Sequence, residues 1–103
     1  MKKLILQNFF LKIKKKNIVG YGAAAKTSTL LNYFNISKSN FQIIDDNKLK
    51  QGNLIPGTTI KIVSRKNINK KIDYLIVFAW NYFKEIKKKI TFAKKIISIR
   101  EFI

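Results

Sequence analysis

Three stretches of this sequence carry side chains or backbone that could do chemistry: a glycine turn leading to a lysine, a pair of aspartates, and a tryptophan followed by asparagine. The first is Ile18-Val19-Gly20-Tyr21-Gly22-Ala23-Ala24-Ala25-Lys26. An apolar run ends there in two glycines, and an alanine-rich, helix-favouring segment follows at once. A strand that turns sharply into a helix needs glycine where a Cβ would clash or φ must be positive. The first amides of the helix have no partner within it and carry partial positive charge, so they suit a phosphate, and Lys26 adds a full charge. The spacing Gly20-x-Gly22-x-x-Ala25 fits the relaxed dinucleotide fingerprint. Asp45, 23 residues beyond Gly22, stands near where a ribose-binding acid would. A tight strand-to-helix turn with no ligand would have the same residues.

The rest of the inventory narrows the chemistry. The chain has no His and no Cys, which excludes disulfides, thiolate and imidazole metal sites, cysteine nucleophiles and histidine general bases. Its five carboxylates are Asp45, Asp46, Asp73, Glu85 and Glu101. Only Asp45 and Asp46 are adjacent, and consecutive strand residues point to opposite faces, so the two are not expected to share a site. No catalytic residue and no metal ligand is therefore assigned. This is a poor kit for an enzyme acting by itself.

At 103 residues the chain is one small domain with one core. An apolar content of 47 % with 13 % aromatics belongs to a folded protein rather than a disordered tail. The net charge of +17 would attract polyanions. The basic residues, however, are spread along the whole chain, and no nucleic-acid-reading motif accompanies them. Lys, Ile and Asn make up 48 of the 103 residues, a bias that reads as AT-rich coding and a solvated basic surface. No specific nucleic-acid partner is expected. No run approaches the ~20 apolar residues of a membrane helix, so no membrane partner is expected either. Met1 to Leu6 opens like an export signal, but Gln7 and Asn8 break it and no small-residue cleavage site follows. A cytoplasmic location is the expectation.

The elements that must position these groups follow from periodicity. Residues 1–16 are expected as an N-terminal amphipathic helix, with Leu4, Ile5 and Phe9 on its apolar stripe. Residues 17–103 read as one Rossmann-like domain. Strands are expected over 17–20, 41–45, 59–63, 74–79 and 96–99, and helices over 24–34 and 82–90, with a short one after Ser64. Leu30, Leu31 and Phe34 would share one helix face, as would Phe83, Ile86 and Ile90. Residues 46–58 read as a long loop in which Pro56-Gly57 suits a type II turn. The alternation predicts a three-layer α/β domain of about five mostly parallel strands in the order 3-2-1-4-5. In that order the first and fourth strands are neighbours whose connections diverge. Gly20 to Lys26 would then meet Trp80-Asn81 at the carboxyl edge, where open α/β sheets bind ligands. Trp80 serves equally as core or as a stacking platform, and Asn81 could simply cap a helix.

Taken together, Gly20-Tyr21-Gly22-Ala23-Ala24-Ala25-Lys26, Thr29-Leu30-Leu31-Asn32-Tyr33, Asp45, Lys50-Gln51-Gly52, Pro56-Gly57-Thr58 and Ala79-Trp80-Asn81 resemble the C-terminal domain of SAM-dependent sugar C-methyltransferases. The resemblance spans roughly residues 17–90. It implies a Rossmann-like domain that helps enclose a nucleotide-linked deoxysugar, beside a zinc-binding and a SAM-binding domain that this chain lacks. Zinc and SAM are thus expected only in a partner or missing domain, with no cofactor in this chain and no methyl transfer by it alone. The family often has Gly after its lysine, where this chain has Thr27 or Ser28. The substrate-binding residues implied are Gly20, Tyr21, Gly22, Ala23, Lys26, Asp45, Trp80 and Asn81. A SAM-binding methyltransferase domain, on a separate chain or cut away from this one, is the implied partner. The fingerprint alone supports a second reading, a stand-alone NAD- or nucleotide-binding module, and the charge a third, a polyanion binder. A remnant without activity is the fourth.

Overall fold

The computed structural model describes residues 8–9, 16–33, 41–68 and 70–102. Five strands form one sheet: β1 (Ile18–Tyr21), β2 (Gln42–Ile44), β3 (Lys61–Val63), β4 (Ile72–Val77) and β5 (Ala93–Ser98). All neighbours pair in parallel, in the order β3-β2-β1-β4-β5. This is the α/β arrangement that the alternation of apolar runs and helical stretches predicts.

Each central strand alternates its side chains between two cores. Ile43, Ile76 and Phe78 join Leu31 of helix α1 (Ala25–Tyr33) on one face. Val19, Ile44, Leu75 and Val77 join Ile86 and Ile90, in and just after helix α2 (Phe83–Lys89), on the other. Because both faces are covered, β1 is buried throughout and β4 reads as a near-continuous apolar run. Gly20 belongs to this packing. A Cβ there would come within 3.0 Å of Ile43 and Phe78, so the bulky side chains fill the space that a larger residue would need.

Several expectations shift in detail. Residues 46–58 are no open loop. Ile55 N–H bonds Ile60 O at 2.8 Å and Ile62 N–H bonds Asn53 O at 2.8 Å, so residues 53–62 fold as a hairpin along the outer side of β3. Ile55 is buried beneath it. Its tip is the type II turn, with Gly57 at φ +76° and Thr58 N–H on Ile55 O at 3.0 Å. Ser64 does cap a short 3₁₀ turn, Arg65–Asn67, its hydroxyl accepting from Lys66 N–H. After β4 a 3₁₀ turn, Trp80–Tyr82, precedes α2, and Asn81 lies inside that turn rather than capping the α-helix. Of the expected N-terminal helix, Asn8 and Phe9 are helical, and the Phe9 ring packs edge-on to Tyr74 at 5.5 Å. Lys16, the last residue of that expected helix, is an exposed bend, and its other residues and Phe34 lie outside the described residues. No described helix is long and apolar enough to cross a membrane.

Candidate functional site

The connections of β1 and β4 leave in opposite directions and their turns touch. Phe78 N–H bonds Tyr21 O at 2.9 Å, continuing the pairing one residue past β4. A Cβ on Gly22 would sit 2.9 Å from the Ala79 Cβ, and Gly22 has φ +100°. Glycine is required here twice over, for conformation and for space. The crevice expected between the first and fourth strands is therefore closed at its floor by backbone.

The amides of the turn are engaged within the protein. Gly22 N–H bonds Ile44 O at 2.9 Å. Ala23 N–H bonds Asp45 Oδ2 at 2.8 Å, and Ala24 N–H bonds Thr27 Oγ1 at 3.1 Å. Thr27 is fully buried, and its hydroxyl donates in turn to Gly22 O at 2.7 Å. Three residues into the helix, Thr27 does what a glutamate or glutamine does in a capping box, accepting from the N-cap amide. This side chain locks the turn. An oxyanion or phosphate at this turn would find those three amides occupied.

Asp45 and Asp46 diverge as alternation requires. Asp45 Oδ1 accepts from Asn47 N–H at 2.8 Å while Oδ2 holds Ala23, so the carboxylate braces the turn to the end of β2. Asp46 faces the α2 side. It accepts from the Tyr21 hydroxyl at 2.5 Å and from Lys89 Nζ at 3.1 Å. Burial first, then the Asp46 hydrogen bond and charge, push the Tyr21 phenol up to about 12. The Tyr21 hydroxyl, followed by Lys89, holds the Asp46 carboxyl below the usual carboxylate range. Tyr21 is buried and committed to this contact on the face opposite α1.

Lys26 and Trp80 come together: the Lys26 ammonium lies over the indole, 4.9 Å from the ring centroid. Lys26 is exposed and Trp80 half-buried against the core. Asn81, next along, is exposed. Of the eight residues that the sequence singles out, Lys26, Trp80 and Asn81 thus present side chains at the edge. Gly22, Ala23 and Asp45 form the turn beneath them. Gly20 sits in the core and Tyr21 on the far face.

Two residues absent from the sequence-based set belong to this architecture. One is Thr27, whose position three residues after Ala24 is the only local signal of its role. The other is Lys50, whose Nζ donates to Ala23 O at 2.8 Å across 27 residues of sequence. No local pattern predicts that contact, since it depends on how the segment after β2 folds back.

Comparison with known proteins agrees with this geometry. The family model described as "C-methyltransferase C-terminal domain" matches residues 2–98. The C-methyltransferase NovU of Streptomyces niveus is 37 % identical over 73 residues, a stretch covering 69 % of this chain and 17 % of that protein. The chain thus spans a small part of the curated relative that it matches. With the fold, the glycine turn and the matched length in agreement, this chain belongs to the C-methyltransferase C-terminal domain family.

Proposed function

We propose that this chain is the domain that holds the nucleotide-linked sugar for a SAM-dependent sugar C-methyltransferase of deoxysugar biosynthesis in the cytoplasm. Methyl transfer itself belongs to a SAM-binding domain on a separate chain or elsewhere in the protein. The observation that carries this reading is the Lys26–Trp80 pair at the carboxyl edge, where the β1 and β4 connections part. A half-buried indole offers a face for a base or sugar ring, and the ammonium beside it offers a charge to phosphate. Asn81 adds an amide with donors and an acceptor for sugar hydroxyls.

The side-chain chemistry favours binding over catalysis. Asp45 and Asp46, the carboxylates nearest the edge, are bonded to backbone amides and to Tyr21 and Lys89 respectively. Neither is placed as a free general base. The role of Asp45 as a brace also weighs against the nicotinamide-cofactor reading, which asks that carboxylate to hold a ribose.

Trp80 is the only tryptophan, so its fluorescence reports on this one place. Titration with a dTDP-linked sugar is expected to change it saturably, with Lys26→Ala weakening affinity by about tenfold, the worth of one charge-assisted contact. An unchanged spectrum, together with a melting temperature raised by NAD and not by nucleotide sugar, would overturn the proposal.

A further inference from the structure

We infer that Lys50 is a second cation of the edge site, contacting the diphosphate of a nucleoside-diphosphate ligand jointly with Lys26. This deepens the proposed function and rests on it.

Lys50 is held at its backbone and at its ammonium. Its backbone belongs to a tightly bonded turn: Lys50 N–H bonds Asn47 O at 3.0 Å, Asn53 N–H bonds Lys50 O at 3.2 Å, and Gly52 N–H bonds Ile62 O at 2.8 Å. Gln51 Nε2 ties the same turn to Asp45 O at 2.8 Å. From this base the half-buried Lys50 side chain reaches Ala23 O, the carbonyl just before the α1 cap. Holding a lysine in one geometry forfeits its rotamer freedom. A neutral carbonyl returns little of that, and it uses one of three ammonium donors.

The charge around it is unbalanced. The ion pairs among the described residues are Lys89 with Asp46 and Lys94 with Asp73, and neither includes Lys50 or Lys26. Asp45 touches the same turn through Ala23 N–H, and the Lys26 ammonium, three residues on, lies over Trp80 without a carboxylate partner among the described residues. Lys50 reaches this turn from the segment after β2 and Lys26 leaves it in the first turn of α1, both at the sheet edge where parallel α/β folds take ligands. A diphosphate carries anionic oxygens on two adjacent phosphorus atoms, and lysine binds phosphate as a point charge. Lys50 therefore has donors to spare, a fixed origin and an excess of positive charge around it.

The test uses the 103-residue chain and Trp80 fluorescence, with dTDP and thymidine titrated directly and inorganic pyrophosphate added as a competitor. Lys50→Met is compared with Lys50→Arg and with Lys66→Met, which removes an exposed charge elsewhere. Lys50→Met is expected to weaken dTDP and pyrophosphate by about tenfold and to leave thymidine unchanged, while Lys50→Arg and Lys66→Met stay close to wild type. Equal weakening of thymidine would show that Lys50 only braces the turn, and would overturn the inference. So would dTDP affinity in Lys50→Met equal to that of wild type, a result that leaves the proposed function standing. A wild-type chain that binds neither dTDP nor a dTDP-linked sugar would instead remove the proposed function and this inference with it.

Discussion

The two turns that meet at the carboxyl edge follow buried, paired strands, yet they are built in opposite ways. After β1, the amides of Gly22, Ala23 and Ala24 each have an internal acceptor, supplied by Ile44, Asp45 and Thr27. After β4, neither the 3₁₀ turn nor α2 has a side-chain cap, and Asn81 and Tyr82 are exposed. The first turn spends its polar groups on its own rigidity, and the second leaves its side chains available. A binding edge gains from both: a fixed floor positions Lys26 and Trp80, and the exposed groups are free for a partner.

If that contrast is right, substitutions in the first turn should change stability and those in the second should change binding. The largest effect is expected from Gly22→Ala, which adds a Cβ at positive φ against Ala79. Left-handed strain plus overpacking should cost about 2–4 kcal/mol, read as a lowered denaturant midpoint. A stability close to wild type would mean that the two turns do not press on each other. Thr27→Val comes next. It strips the buried Gly22 carbonyl of its donor and the N-cap amide of its acceptor, at about 1–3 kcal/mol in the same experiment.

Tyr21→Phe keeps the ring and loses the Asp46 contact, for about 1 kcal/mol at neutral pH. Its signature lies in the pH dependence. The Tyr21 pKa is raised on folding, from 10.0 to about 12. Its contribution is complete below pH 10 and is lost as pH rises through about 12. The Asp46 value is lowered from 3.8, so its contribution is present above that pH and is lost as pH falls through the folded value. Differencing wild type against Tyr21→Phe across both ranges isolates the pair from the many titrating lysines. Parallel curves would show that the contact carries no linkage. The smallest stability change belongs to Asn81→Ala, within about 0.5 kcal/mol for an exposed residue. Its effect should appear in affinity for the dTDP-linked sugar, about 2- to 10-fold weaker by fluorescence titration.

Much of the fold is legible from local pattern. Tyr74 to Ala79 is apolar without a break because β4 is covered on both faces, and Pro56-Gly57 forms its type II turn because the two residues pre-set the required φ values. The hairpin over residues 53–62 is harder to see. Its pairing, Ile55 with Ile60 and Asn53 with Ile62, brackets a turn whose punctuation is plain but whose flanks are too short to alternate convincingly. Within the site, the glycines, Lys26 and Trp80-Asn81 are visible as motifs. The fates of Tyr21 and Asp45 are not, because each depends on a partner more than twenty residues away.

By itself, the sequence determined the chemistry available to this protein: no thiol, no imidazole, few carboxylates, abundant lysine, and glycines where a strand must turn into a helix. It also determined the parallel five-stranded sheet, since residue periodicity and connection length leave few other ways to bury these runs. Only the tertiary structure decided which polar groups are already used. Hydrogen-bond partners are assigned by proximity in space, and the fold brings Asp45, Thr27 and Lys50 to one turn. That assignment leaves Lys26, Trp80 and Asn81, rather than the turn amides, facing solvent at the edge.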